Sequence, residues 1–223
     1  MKLENVTASN SKRWYDDACG TALALEIVGE RWALLIMREL AFGPRRFSEI
    51  KANLPGISAN VLTQRLQGLE GTGVLTRRTL PSPANVQVYA LTDWGLESLP
   101  LMRDLGRWAA RSPRHDPFAF MSPASAMMSL QTLVDPAKAQ DIDLAMAFRF
   151  PADGFVVRAH EGRIDVIRGE GDAMATFAGD TMQMRVTIYG KAPFGDPRGM
   201  EVTGDLAAAA TFADLFRLPE KVA

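Results

Sequence analysis

Asn60, Thr63, Gln64 and Gln67 recur at the three- and four-residue spacing of one helical face, with Thr63 at its edge. At about 100° per residue, Leu62, Leu66 and Leu69 fall on the opposite, buried side. A surface helix ordinarily mixes Glu and Lys. Side-chain amides instead can pair bidentately with adenine edges, or donate to phosphates, in the major groove of a duplex. Arginines surround this stretch: Arg45 and Arg46 before it, Arg65 within it, Arg77 and Arg78 after it. Such cations neutralise phosphates and set the salt dependence of binding, whereas the bases are read elsewhere. Ser58, placed to cap the helix, is counted with them at the DNA face.

Other chemistries find little footing. No Ser/His/Asp order, phosphate-binding loop or dinucleotide glycine motif is present, so neither an enzyme nor a cofactor is expected. His160 and Asp165 could form an acid–base pair, but nothing in their spacing guides that assignment. One cysteine, Cys19, and two histidines, His115 and His160, leave no disulfide framework and no structural metal site. Cys19 has Asp16 and Asp17 as neighbours, which disfavours a thiolate, so packing near an interface is its plainer role and redox sensing the alternative.

The punctuation of the chain supplies the elements that must position these groups. Leu23 and Ile27 mark a helix before Gly29, and Ala33, Ile36, Met37 and Leu40 mark the next, which Gly43-Pro44 ends. Phe47 to Asn53 is a short helix, and Leu54-Pro55-Gly56-Ile57 is a tight turn before the helix that Ser58 caps. That helix runs to Gly71 or Gly73. The strand-like runs Val74–Leu80 and Val86–Leu91 flank a proline-containing loop. Thr92 then caps a long helix reaching Ala110, with Leu96, Leu99, Met102, Leu105 and Trp108 as its apolar stripe. Helices, a two-strand ribbon and a further helix make the order of a winged helix-turn-helix.

Charge is asymmetric. Residues 1–115 hold 15 Lys/Arg against 11 Asp/Glu, and residues 116–223 hold 10 against 15, so the net −1 hides a basic first half. The sign changes near Ser112-Pro113-Arg114-His115-Asp116-Pro117, which predicts domains at 1–111 and 121–223 joined by a linker at 112–120. No apolar run approaches the roughly 20 residues that span a bilayer. Met1 to Asn5 lacks an apolar stretch, so a cytoplasmic protein without membrane contact is expected.

The runs Gly29-Glu30-Arg31-Trp32, Leu34 to Leu40, Gly43 to Ile50, Leu54-Pro55-Gly56-Ile57-Ser58 and Leu62 to Leu66 resemble the HxlR-type winged-helix regulators of bacteria. Tyr89-Ala90-Leu91-Thr92-Asp93-Trp94-Gly95 is similar to that family's junction after the wing. The resemblance covers about residues 15–110. It implies a homodimer built from the first and last helices of the winged domain, bound to a near-palindromic operator on double-stranded DNA, by default as a repressor. Cys19 stands where members of the family commonly carry a cysteine, which in some senses oxidants or electrophiles; here Gly20 follows it where proline is usual.

The last hundred residues read as a mixed α/β domain, making the whole chain α+β. Met127, Leu130 and Leu133 suggest a helix; Ile142 to Phe150 alternates as a strand; Gly154–Ala159 and Arg163–Arg168 read as a hairpin about Glu161-Gly162. Ala175 to Asp180 and Met200 to Asp205 form a quasi-repeat of strand and Gly-Asp cap. A helix Leu206–Leu218 follows the second copy; Thr181–Tyr189, after the first, is β-rich and fits helix or strand. This order resembles the sterol-carrier-protein-2-like fold, which implies an apolar tunnel for a small hydrophobic or aromatic effector. Phe148, Phe150, Phe155, Phe177, Met182, Met184, Phe212 and Phe216 are its candidate lining, with ordinary core as the competing role of each.

Overall fold

A computed structural model describes residues 15–222. Three helices come first: α1 (Gly20–Val28), α2 (Ala33–Leu40) and α3 (Phe47–Ala52), followed by α4 (Ala59–Gly71). Their apolar positions converge as the spacing requires, with Ile36, Met37, Leu40, Ile50, Leu62, Leu66 and Leu69 in one buried cluster. Ser58 Oγ accepts from the Val61 amide at 3.2 Å, and Gly73, at φ 79°, turns the chain out of α4. Strands β1 (Leu75–Thr79) and β2 (Gln87–Leu91) form the antiparallel wing, with Arg77 opposite Tyr89 and Arg78 opposite Val88. Arg45 adds a single rung to it, exchanging backbone hydrogen bonds of 2.9 and 2.8 Å with Tyr89.

The long helix expected after Thr92 is divided into α5 (Asp93–Glu97) and α6 (Leu99–Ala110), meeting at Ser98. Pro100 explains the break, because it lacks an N–H and its ring excludes the carbonyl four residues earlier. Thr92 Oγ1 caps α5, accepting from Gly95 at 3.1 Å. Gly95 has to be glycine, since a Cβ there would collide with the Val74 carbonyl.

Beyond Arg111 the chain runs without helix or strand to α7 (Pro123–Leu133), then α8 (Pro136–Ala139). Strands β3 (Asp143–Phe150), β4 (Asp153–His160), β5 (Arg163–Arg168), β6 (Ala175–Ala178) and β7 (Glu201–Gly204) make one sheet in the order β5-β4-β3-β6-β7. Only β3 and β6 run parallel in it. Helix α9 (Thr181–Ile188) connects β6 to β7, and α10 (Leu206–Asp214) packs on β3, β6 and β7. Asp180 and Gln183 cap α9 reciprocally at 2.8 Å, which settles as helix the β-rich stretch that fitted either form. α10 ends four residues before the expected Leu218 because Phe216 leaves it to bridge Val134.

The halves are joined tightly. α7 packs on α2 and α6 as well as on β5. Phe42, just past α2, meets Phe155 of β4 edge-on at 5.9 Å. Buried Glu39 accepts 2.6 Å from Ser122 Oγ, and Val222 donates back to the Arg111 carbonyl at 2.8 Å. No helix among the described residues is long and apolar enough to cross a membrane.

Candidate nucleic-acid interface

α4 presents to solvent the face its composition suggested. Leu62, Leu66 and Leu69 are buried while Asn60, Thr63, Gln64 and Gln67 are exposed. Thr63 Oγ1 donates back to Ala59 O at 2.9 Å. The amides of Asn60, Gln64 and Gln67 have no protein partner among the described residues, so they can exchange water for base edges. α3 and the turn at Pro55-Gly56 precede α4, and the wing follows it, leaving α4 as the second helix of a helix-turn-helix.

The arginines divide into two groups. Arg46 and Arg78 are exposed and have no carboxylate partner among the described residues; Arg77 is exposed and lies 3.7 Å from Glu70. Arg65 is committed elsewhere, with Nη2 2.7 Å from Glu30 and Nε donating 3.2 Å to Arg31 O, so it braces α4 against the start of α2. Arg45, expected at the phosphates, is 6% exposed and ion-paired to Asp153 of β4. These two expectations are corrected for one reason: the partners lie far away in sequence, and only the fold brings a carboxylate to each. Arg31, which the sequence did not single out, is exposed beside α4 and lies over the Trp32 ring at 5.1 Å.

A family model described as HxlR-like helix-turn-helix matches residues 27–116. The uncharacterized HTH-type transcriptional regulator YvaP of Bacillus subtilis is 41% identical over 87 residues, which span 39% of this chain and 80% of that protein. This chain belongs to the HxlR-like family. YodB, another B. subtilis regulator, is 35% identical over 86 residues, 39% of this chain and 77% of its own length. A solved structure of the reduced form of YodB aligns at 31% identity and a TM-score of 0.40, covering 45% of this chain and 100% of that one. HxlR-like membership makes this a DNA-binding regulator of transcription.

The HxlR-like match stops near residue 116, and the sheet domain beyond it places its aromatic residues differently from the expected tunnel. Phe148, Phe155, Phe177, Phe212 and Phe216 are packed in contact, with Phe148 and Phe177 stacked 4.9 Å apart and Phe212 and Phe216 5.0 Å apart. Phe150 and Met184 complete this closed core, and Met182 is exposed. The tunnel expectation is therefore corrected: the buried side chains fill the space against one another, and none of the eight lines the large cleft. The cleft of about 1040 Å³ lies instead between α2, α6, α7, α9 and the segment 115–121. Its Phe118 and Phe120 were read only as linker, because apolar residues in a proline-bearing stretch have no periodicity to betray a wall.

His160 Nε2 does lie 2.6 Å from Asp165 Oδ2, on the open surface of the β4–β5 hairpin. The same carboxylate is 4.0 Å from Arg163 Nε, as in a cross-strand ion cluster. Cys19 is exposed at the N-terminus of α1, and hydrogen bonds from Thr21 hold its thiol below the ordinary range.

Proposed function

We propose that two copies of this regulator grip a near-palindromic operator, each laying α4 in the major groove of one half-site. The observation that carries this reading is the solvent face of α4, where Asn60, Gln64 and Gln67 offer amides with no protein partner while the leucines opposite are buried. Arg46, Arg77 and Arg78 contact phosphates beside it, and Thr63 packs at the groove edge. Two-fold pairing is supported by large apolar side chains left in water: Leu23 and Leu25 on α1, and Leu101 and Trp108 on α6. Paired reading heads then sit about 34 Å apart, one turn of the duplex.

The regulator works without catalysis or cofactor, as a repressor released by a small hydrophobic or aromatic effector. Support for an effector role comes from the sheet domain itself, packed on both α2 and α6 of the reading unit. Its mixed five-stranded sheet with covering helices fits the sterol-carrier-protein-2-like fold. A gel shift against the DNA upstream of its own gene tests the reading. Retardation by the parent and its loss in Gln64→Ala and Arg78→Ala are expected; equal retardation by both variants removes the assignment.

The exposed Cys19 thiol, held at lowered pKa, favours a second reading in which oxidation releases DNA. A thiol oxidant then weakens operator binding by the parent and leaves Cys19→Ser unaffected.

A further inference from the structure

We infer that the cleft between the two halves binds an organic anion with an apolar body. The proposal rests on the regulator reading only for what the ligand does to DNA binding. The cleft, of about 1040 Å³, is walled by Leu34 and Leu35 of α2, Met102 and Leu105 of α6, Met128 of α7 and Val186 of α9. Sites for small molecules favour such domain junctions, and they combine an apolar lining with a few polar groups that fix orientation.

The polar groups here are unbalanced in sign. Arg38, Arg185, Lys191 and Arg198 line the cleft against two carboxylates, Asp116 and Asp196. Arg38 is taken by Glu39 at 2.9 Å, and Arg198 by Asp196 at 2.8 Å. Arg185 and Lys191 have no carboxylate within salt-bridge distance among the described residues. Both are held by carbonyls instead: Arg185 by Pro117, Ala119 and Thr181, Lys191 by Ala213 and Phe216.

Desolvation pushes both groups below their usual range, and carboxylates beyond ion-pair distance, Asp180 and Asp116 for Arg185 and Asp214 for Lys191, offset it only in part. A carboxylate entering the cleft would supply a direct counter-charge to buried Arg185, with the exposed Lys191 beside it at the rim. Beside them Tyr189 Oη lies 2.7 Å from Ser129 Oγ, a hydroxyl pair that can accept or donate to a second polar atom. The ligand class is therefore a lipophilic carboxylate.

Such a ligand touches α2, which leads the helix-turn-helix, and α6, which carries the exposed apolar stripe. It shifts DNA affinity if it binds two arrangements of these helices unequally.

Calorimetric titration of the full chain with dodecanoate and with dodecanol tests the site, since the two differ chiefly in charge. Saturable binding of dodecanoate is expected, about tenfold or more tighter than dodecanol, an effect of about 1.4 kcal/mol. Two variants check the location. A Cβ at Gly106 meets only Thr132 Cγ2 at 3.7 Å, so Gly106→Leu projects into the cleft. Leu35→Asp places a carboxylate on a part-exposed wall, where folding tolerates it. Each is expected to weaken dodecanoate about tenfold or more, with melting temperatures near the parent's reporting an intact fold.

Equal affinity for the acid and the alcohol overturns the anion assignment. Absence of saturable binding, or unchanged affinity in both variants, overturns the site. A parent that binds neither probe, and becomes monomeric through Gly106→Leu, shows a seam between copies and overturns it too. Operator retardation without ligand decides the regulator reading separately, because a chain that takes dodecanoate but ignores DNA keeps this site and loses that reading.

Discussion

Arg45, on the turn leading into α3, is ion-paired with Asp153 at the start of β4, and the pair crosses from the reading unit to the sheet domain. Both side chains are almost fully buried, at 8% and 7% exposure. Asp153 also accepts from Arg168 Nη1 at 2.9 Å, and that guanidinium lies over Phe155 at 5.0 Å. One carboxylate thus bonds two arginines from opposite halves, with Glu49, 3.8 Å from Arg45, as that residue's second and more exposed partner.

Asp153→Asn should therefore cost about 3–5 kcal/mol, because it leaves Arg168 without an ion pair and Arg45 with only Glu49. Urea unfolding measures it. A cost below about 1 kcal/mol, the scale of an exposed pair, contradicts the coupling.

Salt dependence separates the arginines. Replacing Arg46 or Arg78 with alanine should reduce the slope of log affinity against log salt by about 1 each. Arg45→Ala should leave that slope unchanged at temperatures where the variant stays folded, since its guanidinium faces Asp153. Fluorescence anisotropy over a salt series reads all three, and a reduced slope in Arg45→Ala returns that residue to the phosphates.

How far the sequence carried follows from which signals are local. The α4 face, the Ser58 cap, the wing and the Glu161-Gly162 turn were legible because each depends on spacing or a side chain within a few residues. Arg45 and Arg65 were misplaced because their carboxylates, Asp153 and Glu30, arrive through tertiary contact. The Phe148–Phe177–Phe212 cluster was legible as apolar, but period-two alternation cannot tell a filled core from a lined tunnel. The cleft was invisible, since its walls come from α2, α6, α7 and α9 together.

Phe177→Ala tests the filled-core assignment. Loss of a fully buried ring stacked on Phe148 should cost about 3–5 kcal/mol, with dodecanoate affinity unchanged. A small loss of stability with a large loss of ligand places the site in the sheet core instead.

Trp108 is 75% exposed on α6. Trp108→Glu, paired with Leu101→Glu, should shift the sedimentation coefficient from dimer to monomer without unfolding the chain. Operator affinity should fall with it, because single half-sites lose the linked second contact. A dimer that survives both substitutions moves the seam away from α6.

In the proposed complex α4 enters the major groove twice on one duplex. An iron chelate tethered at Gln67→Cys, in a Cys19→Ser background, cuts DNA only where that position approaches it. Two clusters of cuts about one helical turn apart, related by the symmetry of the operator, are expected. Cuts spread evenly along bound DNA, or none at all while binding persists, contradict it.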